Sequence, residues 1–210
     1  MDILVTLVIA ATFVLSEAKT VKPTDKDEFP PDFIFGAATA SYQVEGGWMS
    51  NGKGWNIWDT LTHQRPDYIF DKSNGDVACD SYHKYKEDIQ LLKQLGVNFY
   101  RFSISWARIL PKGYANYINK YGIDYYNNLI NELLANSINL CSMSFIITIF
   151  QVTMYHWDLP EELQDIGGWP NIKLADYFED YARLLFTHFG DKVVKLWITF
   201  NEPASLWAAT

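Results

Sequence analysis

The chain has 210 residues, 49% of them hydrophobic and 20% charged, which is enough for one domain with a substantial core. With 17 basic against 25 acidic residues and a net charge of −8, the composition argues against binding to nucleic-acid phosphates or to a membrane surface. Two cysteines are too few for a disulfide scaffold, and no CxxC or HxxxH spacing indicates a zinc site.

The N-terminus has the pattern of a secretory signal peptide. Ile3–Leu15 is an apolar run interrupted only by two threonines, too short to span a bilayer but suited to the core of a signal peptide. Small residues at positions 16 and 18 predict cleavage after Ala18. We therefore expect residues 1–18 to be removed and the mature chain, 19–210, to be secreted. A buried N-terminal strand is the alternative interpretation.

Beyond position 31, four apolar segments of strand length alternate with three segments of helical periodicity. The strands are predicted at Phe33–Ala38, which should be buried, and at Val97–Ser105, Val152–Trp157 and Val194–Phe200. The helices are predicted at Tyr82–Leu95, Ile123–Ala135 and Leu174–Phe189. Gly96 follows the first helix, where a C-terminal cap is expected. The alternation predicts a parallel sheet connected by crossover helices.

Two parallel α/β architectures fit this order of elements, a doubly wound sheet and a (β/α)8 TIM barrel. A doubly wound sheet that binds dinucleotides needs a glycine-rich phosphate loop, and no GxGxxG follows any predicted strand. In a barrel, the chemistry lies at the C-terminal ends of the strands. Polar residues do lie in or just after the strands here, which favours the barrel: Gln43, Arg101, His156, Asn201 and Glu202.

Glu202 is the strongest candidate for a general acid. It follows the fourth strand, and neighbouring aromatic residues would desolvate its carboxyl and raise the pKa toward neutrality; these are Trp197, Phe200 and Trp207. Asn201 beside it would orient a substrate hydroxyl. The alternative is structural: Asn201 caps a helix that begins at Pro203, and Glu202 lies in its first turn.

The other strand-end residues are suited to sugar recognition. His156 can donate to a hydroxyl while Trp157 packs beneath the ring, although a lone strand-end histidine is more often structural. Gln43 has both donors and an acceptor for adjacent hydroxyls. Arg101 shares a strand face with apolar residues, so its charge needs a partner. We expect that partner to be either an ion pair in the barrel interior or an active-site carboxylate.

Four ordered segments carry a family resemblance. They are Phe33–Gly46 (FIFGAATASYQVEG), Tyr100–Pro111 (YRFSISWARILP), Tyr155–Pro160 (YHWDLP) and Thr199–Pro203 (TFNEP). Together they resemble the family 1 glycoside hydrolases, β-glucosidase-like retaining enzymes with the (β/α)8 fold. The resemblance begins at Phe29 and continues to the last residue, apart from one stretch.

The resemblance implies a role for each strand-end residue. Glu202 would be the acid/base, Gln43, His156 and Asn201 would bind hydroxyls of the non-reducing-end sugar, and Arg101 would support the nucleophile. The reaction implied is hydrolysis of a β-O-glycosidic bond with retention, without metal or cofactor. The partner would be a small-molecule β-glycoside or oligosaccharide, not nucleic acid or a membrane.

The sequence departs from the family pattern in its catalytic pair. The family's nucleophile is a Glu in a Thr-Glu-Asn-Gly segment, and no Glu-Asn-Gly occurs in these 210 residues. We therefore expect an incomplete barrel, the first four strand–helix units, which carries the acid/base, lacks the nucleophile and is inactive alone. A non-catalytic sugar-binding remnant is the alternative, as is a fragment of a gene model.

A second departure is an apparent insertion at 139–151. The family typically has about three residues between the helix-ending Asn-x-Ile and the Val-Thr of the third strand, whereas thirteen residues stand here. The segment reads as an unspliced intron, and a genuinely lengthened strand or loop is the alternative.

Overall fold

The structure, a computed structural model, describes residues 29–30, 33–138, 149–192 and 196–205. The predicted signal peptide lies outside these ranges, and so does Trp207. The chain divides into a short unit that ends at Phe33 and a main unit, Ile34–Thr210, which contains all the helices and strands given below.

The main unit contains a sheet of four parallel strands in chain order. The strands are β1 (Gly36–Ala38), β2 (Phe99–Ser103), β3 (Ile149–Tyr155) and β4 (Trp197–Phe200). Each strand pairs with the next one along the chain, whereas a doubly wound sheet reverses its order at a switch point. The sequential order is that of a (β/α)8 barrel, of which the chain forms a part.

Long helices connect consecutive strands, as predicted, and shorter helices follow the strand ends. The helices are α1 (Ser41–Val44), α2 (Ile57–Gln64), α3 (Ser81–Gln94), α4 (Trp106–Ile109), α5 (Lys120–Ile138), α6 (Glu161–Asp165) and α7 (Leu174–Phe189). The predicted helices correspond to α3, α5 and α7. Gly96 adopts a φ of 70° and its N–H donates to Lys93 O, so the expected cap of α3 is confirmed.

The first strand is shorter and more exposed than predicted. It begins at Gly36, and Phe33, Ile34 and Phe35 are 42%, 55% and 43% exposed, so the prediction of a buried strand over Phe33–Ala38 was wrong. In the described sheet β1 pairs on one side only, with β2, and no described strand covers its other side.

The predicted insertion at 139–151 is only partly described. Residues 139–148 lie outside the described ranges. The last three residues, Ile149–Gln151, begin β3 and align with Phe99–Arg101 of β2.

Aromatic rings fill the core between the sheet and the helices. Trp106 stacks on Tyr181 with ring centroids 4.5 Å apart, and the single proton of the Tyr181 hydroxyl lies within reach of two carbonyls, those of Ile104 and Met154. Tyr126 and Phe189 are also fully buried. Much of the aromatic content is therefore structural. None of the described helices is long and apolar enough to cross a membrane.

Candidate active site

The predicted site residues come together at the C-terminal ends of β3 and β4, beside α1. They line an open cavity of about 480 Å³. Its described walls are Ala40, Tyr42, Gln43, Trp58, His156, Trp157, Asn201 and Glu202. Arg101 does not line the cavity but contacts one of its walls, Asn201. The strand-end rule therefore identified a real cluster of side chains.

Arg101 is held by neutral oxygens. Its Nε donates to Thr153 Oγ1 at 2.9 Å, and its Nη2 donates to Asn201 Oδ1 at 2.7 Å. We expected a carboxylate partner; both of these hydrogen bonds to described residues go to neutral oxygens instead. The expected ion pair or active-site carboxylate therefore stays a prediction. The guanidinium instead fixes the amide of Asn201 from below the cavity.

Asn201 makes hydrogen bonds to three neighbouring residues. Besides the contact to Arg101, its main-chain N–H donates to Tyr155 O at 3.0 Å, and its carbonyl accepts from Trp157 Nε1 at 2.9 Å. A helical turn does begin at position 203, but the Asn201 side-chain oxygen is engaged by Arg101. Asn201 also lines the cavity, where its amide is among the groups that a ligand would meet.

Two residues that line the cavity adopt backbone conformations in the left-handed region. Trp157 has a φ of 69° and Glu202 a φ of 47°. This region is unfavourable for side chains with a Cβ, at a cost of about 1–3 kcal/mol each, and such residues cluster in functional sites. The turn at Trp157 directs the indole toward Asn201, which accepts its N–H.

Glu202 is exposed in the described structure. We expected aromatic neighbours to desolvate its carboxyl; Trp197 and Phe200 do not bury it, and Trp207 lies outside the described residues. Among the described residues that line the cavity, Glu202 carries the only carboxyl. Retaining glycoside hydrolysis uses two carboxyl groups about 5–5.5 Å apart. The described walls therefore supply one member of such a pair.

His156 is half-buried, and its surroundings favour the neutral form of the imidazole. Burial lowers its pKa, and the positive charge of Arg101 lowers the pKa further, against an opposing effect of Glu202. A neutral imidazole has one donor and one acceptor nitrogen. Its Nδ1 is buried without a hydrogen-bond partner among the described residues.

Two aromatic residues that line the cavity, Tyr42 and Trp58, were not predicted from the sequence. Tyr42 lies on α1, and its hydroxyl accepts from the main-chain N–H of Gly75 at 3.1 Å. Trp58 lies in the first turn of α2. A signal for that helix was present, because Asn56 and Asp59 form a capping box in the structure. No sequence spacing placed α2 against this cavity.

The polar and aromatic walls together suit a sugar. Gln43, His156 and Asn201 offer neutral donors and acceptors for hydroxyls, the indoles offer flat apolar faces, and Glu202 offers one ionisable carboxyl. In the described ranges no group of three or more His, Cys, Asp or Glu side chains is arranged to hold a metal ion.

Comparison with known proteins connects this cavity to a family. The model of glycosyl hydrolase family 1 matches residues 25–210. Myrosinase 1 of Brevicoryne brassicae is 60% identical over 85% of this chain and 36% of its own length. Beta-glucosidase 11 of Oryza sativa subsp. japonica is 50% identical over 86% of this chain and 32% of its own length. The chain thus spans about a third of the length of these relatives.

Solved structures give the same result for the fold. Aphid myrosinase superposes with a TM-score of 0.77 at 60% identity, covering 85% of this chain and 36% of that one. The β-glucosidase from Thermotoga maritima in complex with deoxynojirimycin superposes with a TM-score of 0.74 at 48% identity, covering 83% of this chain and 37% of that one.

Proposed function

The chain belongs to glycosyl hydrolase family 1, and we propose that it carries the acid/base half of a β-glucosidase-like site. The proposed reaction is hydrolysis of a β-O-glycosidic bond with retention of configuration, without metal or cofactor. The proposed ligand is a small-molecule β-glycoside or oligosaccharide, bound by its non-reducing-end sugar.

One observation carries this proposal. A single cavity brings the carboxyl of Glu202 together with three neutral hydrogen-bonding side chains and the Trp157 indole. The three side chains are Gln43, His156 and Asn201. Neutral groups can bind hydroxyls without the desolvation cost that a buried charge would add.

The proposed chemistry assigns Glu202 two proton transfers. In the first step its carboxyl protonates the glycosidic oxygen as a second group, an ionised carboxylate, attacks the anomeric carbon; the glycosidic bond breaks and the alcohol leaves. In the second step its carboxylate takes a proton from the water that releases the sugar. The absence of a Glu-Asn-Gly segment, together with the single carboxyl among the described walls, supports a nucleophile supplied from outside these 210 residues.

A second candidate function is sugar binding without turnover. It is favoured by the same single carboxyl, because the contacts to hydroxyls do not depend on the nucleophile. The two candidates agree on binding and differ on catalysis.

Deoxynojirimycin, a sugar-shaped amine found in the complex of the Thermotoga maritima relative, is a suitable probe of binding. We expect it to bind the full chain in a calorimetric titration. Gln43→Ala should raise the Kd about ten-fold, since one hydrogen bond is lost. Gln94→Ala is the matched control because Gln94 is exposed near the end of α3, outside the cavity. No binding by the wild-type chain would overturn the proposed site.

Turnover is tested separately with an aryl β-glucoside. We expect the chain alone to release no phenol above the Glu202→Gln background, because a retaining mechanism needs two carboxyls. Release that Glu202→Gln abolishes would show that a nucleophile is present among these residues and would refute that part of the proposal.

We also propose that the protein is secreted after removal of residues 1–18. When the chain is expressed in a secreting host, we expect the protein in the medium. N-terminal sequencing of that protein should begin at Lys19. An intact N-terminus on cell-retained protein would contradict this.

A further inference from the structure

The helix that carries Gln43 is too short to position this side chain by itself. The helix α1 has four residues, Ser41–Val44, and the residue before it, Ala40, provides no side-chain cap. One helical turn gains little from its own hydrogen bonds. The place of Gln43 in the cavity therefore depends on what holds the two ends of α1.

The first end of α1 is held by a buried chain of hydroxyls. The Ser41 Oγ donates to Asp158 Oδ2 at 2.7 Å, and the Ser41 main-chain N–H donates to Ser103 Oγ at 2.7 Å. The Ser103 hydroxyl in turn donates to Ser41 Oγ at 3.1 Å. Asp158 is fully buried, and both serines are buried. Three segments that are distant in the sequence therefore meet at Ser41: the end of β2, the start of α1 and the turn after β3.

The second end of α1 is held by a buried ion pair. Glu45, the C-terminal cap, accepts from Arg108 Nε at 2.8 Å and from the hydroxyl of Tyr126. Arg108 also donates to Gly46 O at 2.9 Å and lies over the ring of Tyr82. This anchor fixes α1 against the helices behind the sheet. Among the described residues, the hydrogen bonds of this anchor do not reach the turn that carries His156.

Asp158 connects two parts of the cavity wall: the segment after β3, which carries His156, and the helix α1, which carries Gln43. In the sequence it comes directly after His156 and Trp157, which line the cavity. The positive φ of Trp157 marks the turn between these two residues and the buried carboxylate of Asp158. On one side of this turn the Trp157 indole binds Asn201, and on the other side Asp158 binds α1. The Asp158–Ser41 bond is thus the direct side-chain link between the His156 segment and the Gln43 helix.

We propose that Asp158 is a positioning residue for the sugar site, which acts through Ser41 to set Gln43 relative to His156. The inference rests on the proposed function, since it concerns the same cavity. A buried acceptor is costly to leave without a hydrogen bond, so the bond from Ser41 to Asp158 favours one arrangement of the two segments. The buried charge strengthens the hydrogen bond to Ser41 and gives it a defined direction.

A double-mutant cycle between Ser41→Ala and Gln43→Ala tests the inference, with the Kd for deoxynojirimycin as the readout. If Ser41 acts through Gln43, Ser41→Ala should raise the Kd about ten-fold in the wild-type background and less than about two-fold in the Gln43→Ala background. A general loss of structure would cost the same factor in both backgrounds, and that result would overturn the inference.

The chain provides a matched control and a conservative rescue. Ser105→Ala removes a buried serine hydroxyl that has no hydrogen-bond partner among the described residues, so it should leave the Kd unchanged. Asp158→Asn keeps an acceptor oxygen for Ser41 and should retain affinity within about two-fold, whereas Asp158→Ala should match Ser41→Ala. Equal losses in Asp158→Asn and Asp158→Ala would contradict a role through the Ser41 hydrogen bond.

A second readout separates this inference from the proposed function. The NMR order parameter of the Gln43 side-chain amide reports its rigidity without any ligand. We expect it to fall in Ser41→Ala and Asp158→Ala and to stay unchanged in Ser105→Ala. If the wild-type chain binds no deoxynojirimycin but this pattern holds, the proposed function fails and the positioning role stands. An unchanged Gln43 order parameter in all variants would overturn the inference.

Discussion

At the scale of single residues, the site is organised by main-chain and amide groups. Asn201 receives a hydrogen bond from Arg101 on its side chain and one from Trp157 on its carbonyl, while its N–H binds Tyr155. Arg101 thus orients the side-chain amide, while Trp157 and Tyr155 hold the main chain of the same residue. Glu202 follows directly, so the orientation of Asn201 also places the backbone of the proposed acid/base.

Asp158 should give the protein a measurable dependence of stability on pH. Burial raises its pKa from 3.8 to about 6, against the opposing effect of the Ser41 hydrogen bond. A raised folded-state pKa means that the folded protein holds a proton which the unfolded chain has released, so stability is lost as the pH rises through this window. Asp158→Asn removes this effect. From about pH 4 to about pH 6.5 we expect the variant to lose about 2 kcal/mol less unfolding free energy than the wild type.

Urea unfolding at a series of pH values measures this difference, and Asp80→Asn is a control of opposite sign. The hydrogen bond from His83 lowers the pKa of Asp80, so this group contributes stability that is lost as the pH falls. Because the effect of Asp80 falls below about pH 4, the two variants should diverge from the wild type in opposite directions when the series extends down to about pH 3. Parallel pH profiles for Asp158→Asn and the wild type would refute a raised pKa at Asp158.

At the scale of elements, the long helices and the sheet could be predicted and the short helices could not. The helices α3, α5 and α7 have several turns, so their apolar residues recur often enough to reveal a helical period. A four-residue helix such as α1 or α4 shows less than two periods. For the same reason the sequence identified Gln43 as a site residue by its place after a strand, without the helix that carries it.

The contacts inside the site were also beyond prediction. The sequence places Arg101 inside the second strand and Asn201 just after the fourth. Their hydrogen bond reaches past β3, which lies between β2 and β4, so it depends on the register of the sheet. The exposure of Glu202 and the burial of Asp158 likewise depend on packing between distant segments. Position after a strand predicts which residues gather, while their partners and burial require the three-dimensional structure.

The ion pair at the end of α1 should be the most costly charge to remove from this element. Glu45 and Arg108 are 4% and 1% exposed, so Glu45→Gln leaves a buried guanidinium without its countercharge. We expect a loss of about 3 kcal/mol in unfolding free energy, measured by chemical denaturation. Glu179→Gln is the matched control: it breaks the exposed pair with Arg183 and should cost less than about 0.5 kcal/mol. Equal losses would show that burial does not determine the strength of these pairs.

At the scale of the whole molecule, the described sheet has two edges. The strands β1 and β4 each pair on one side within the described residues, and apolar side chains lie exposed beside β4. Leu196 is 50% exposed and Phe186 is 49% exposed, and the ring of Phe186 packs on Trp197. An exposed strand edge with apolar neighbours is a template for pairing with another chain.

We therefore predict that the chain self-associates through the β4 edge. A charge at this edge opposes pairing between copies, because it would have to be desolvated or placed near its symmetry mate. Leu196→Lys should shift the sedimentation-velocity distribution toward the monomer at concentrations where the wild-type chain forms larger species. Leu95→Lys is the matched control, since Leu95 is 72% exposed at the end of α3, and it should leave the distribution unchanged. The same shift in both variants would indicate a general effect of net charge and would contradict association through β4.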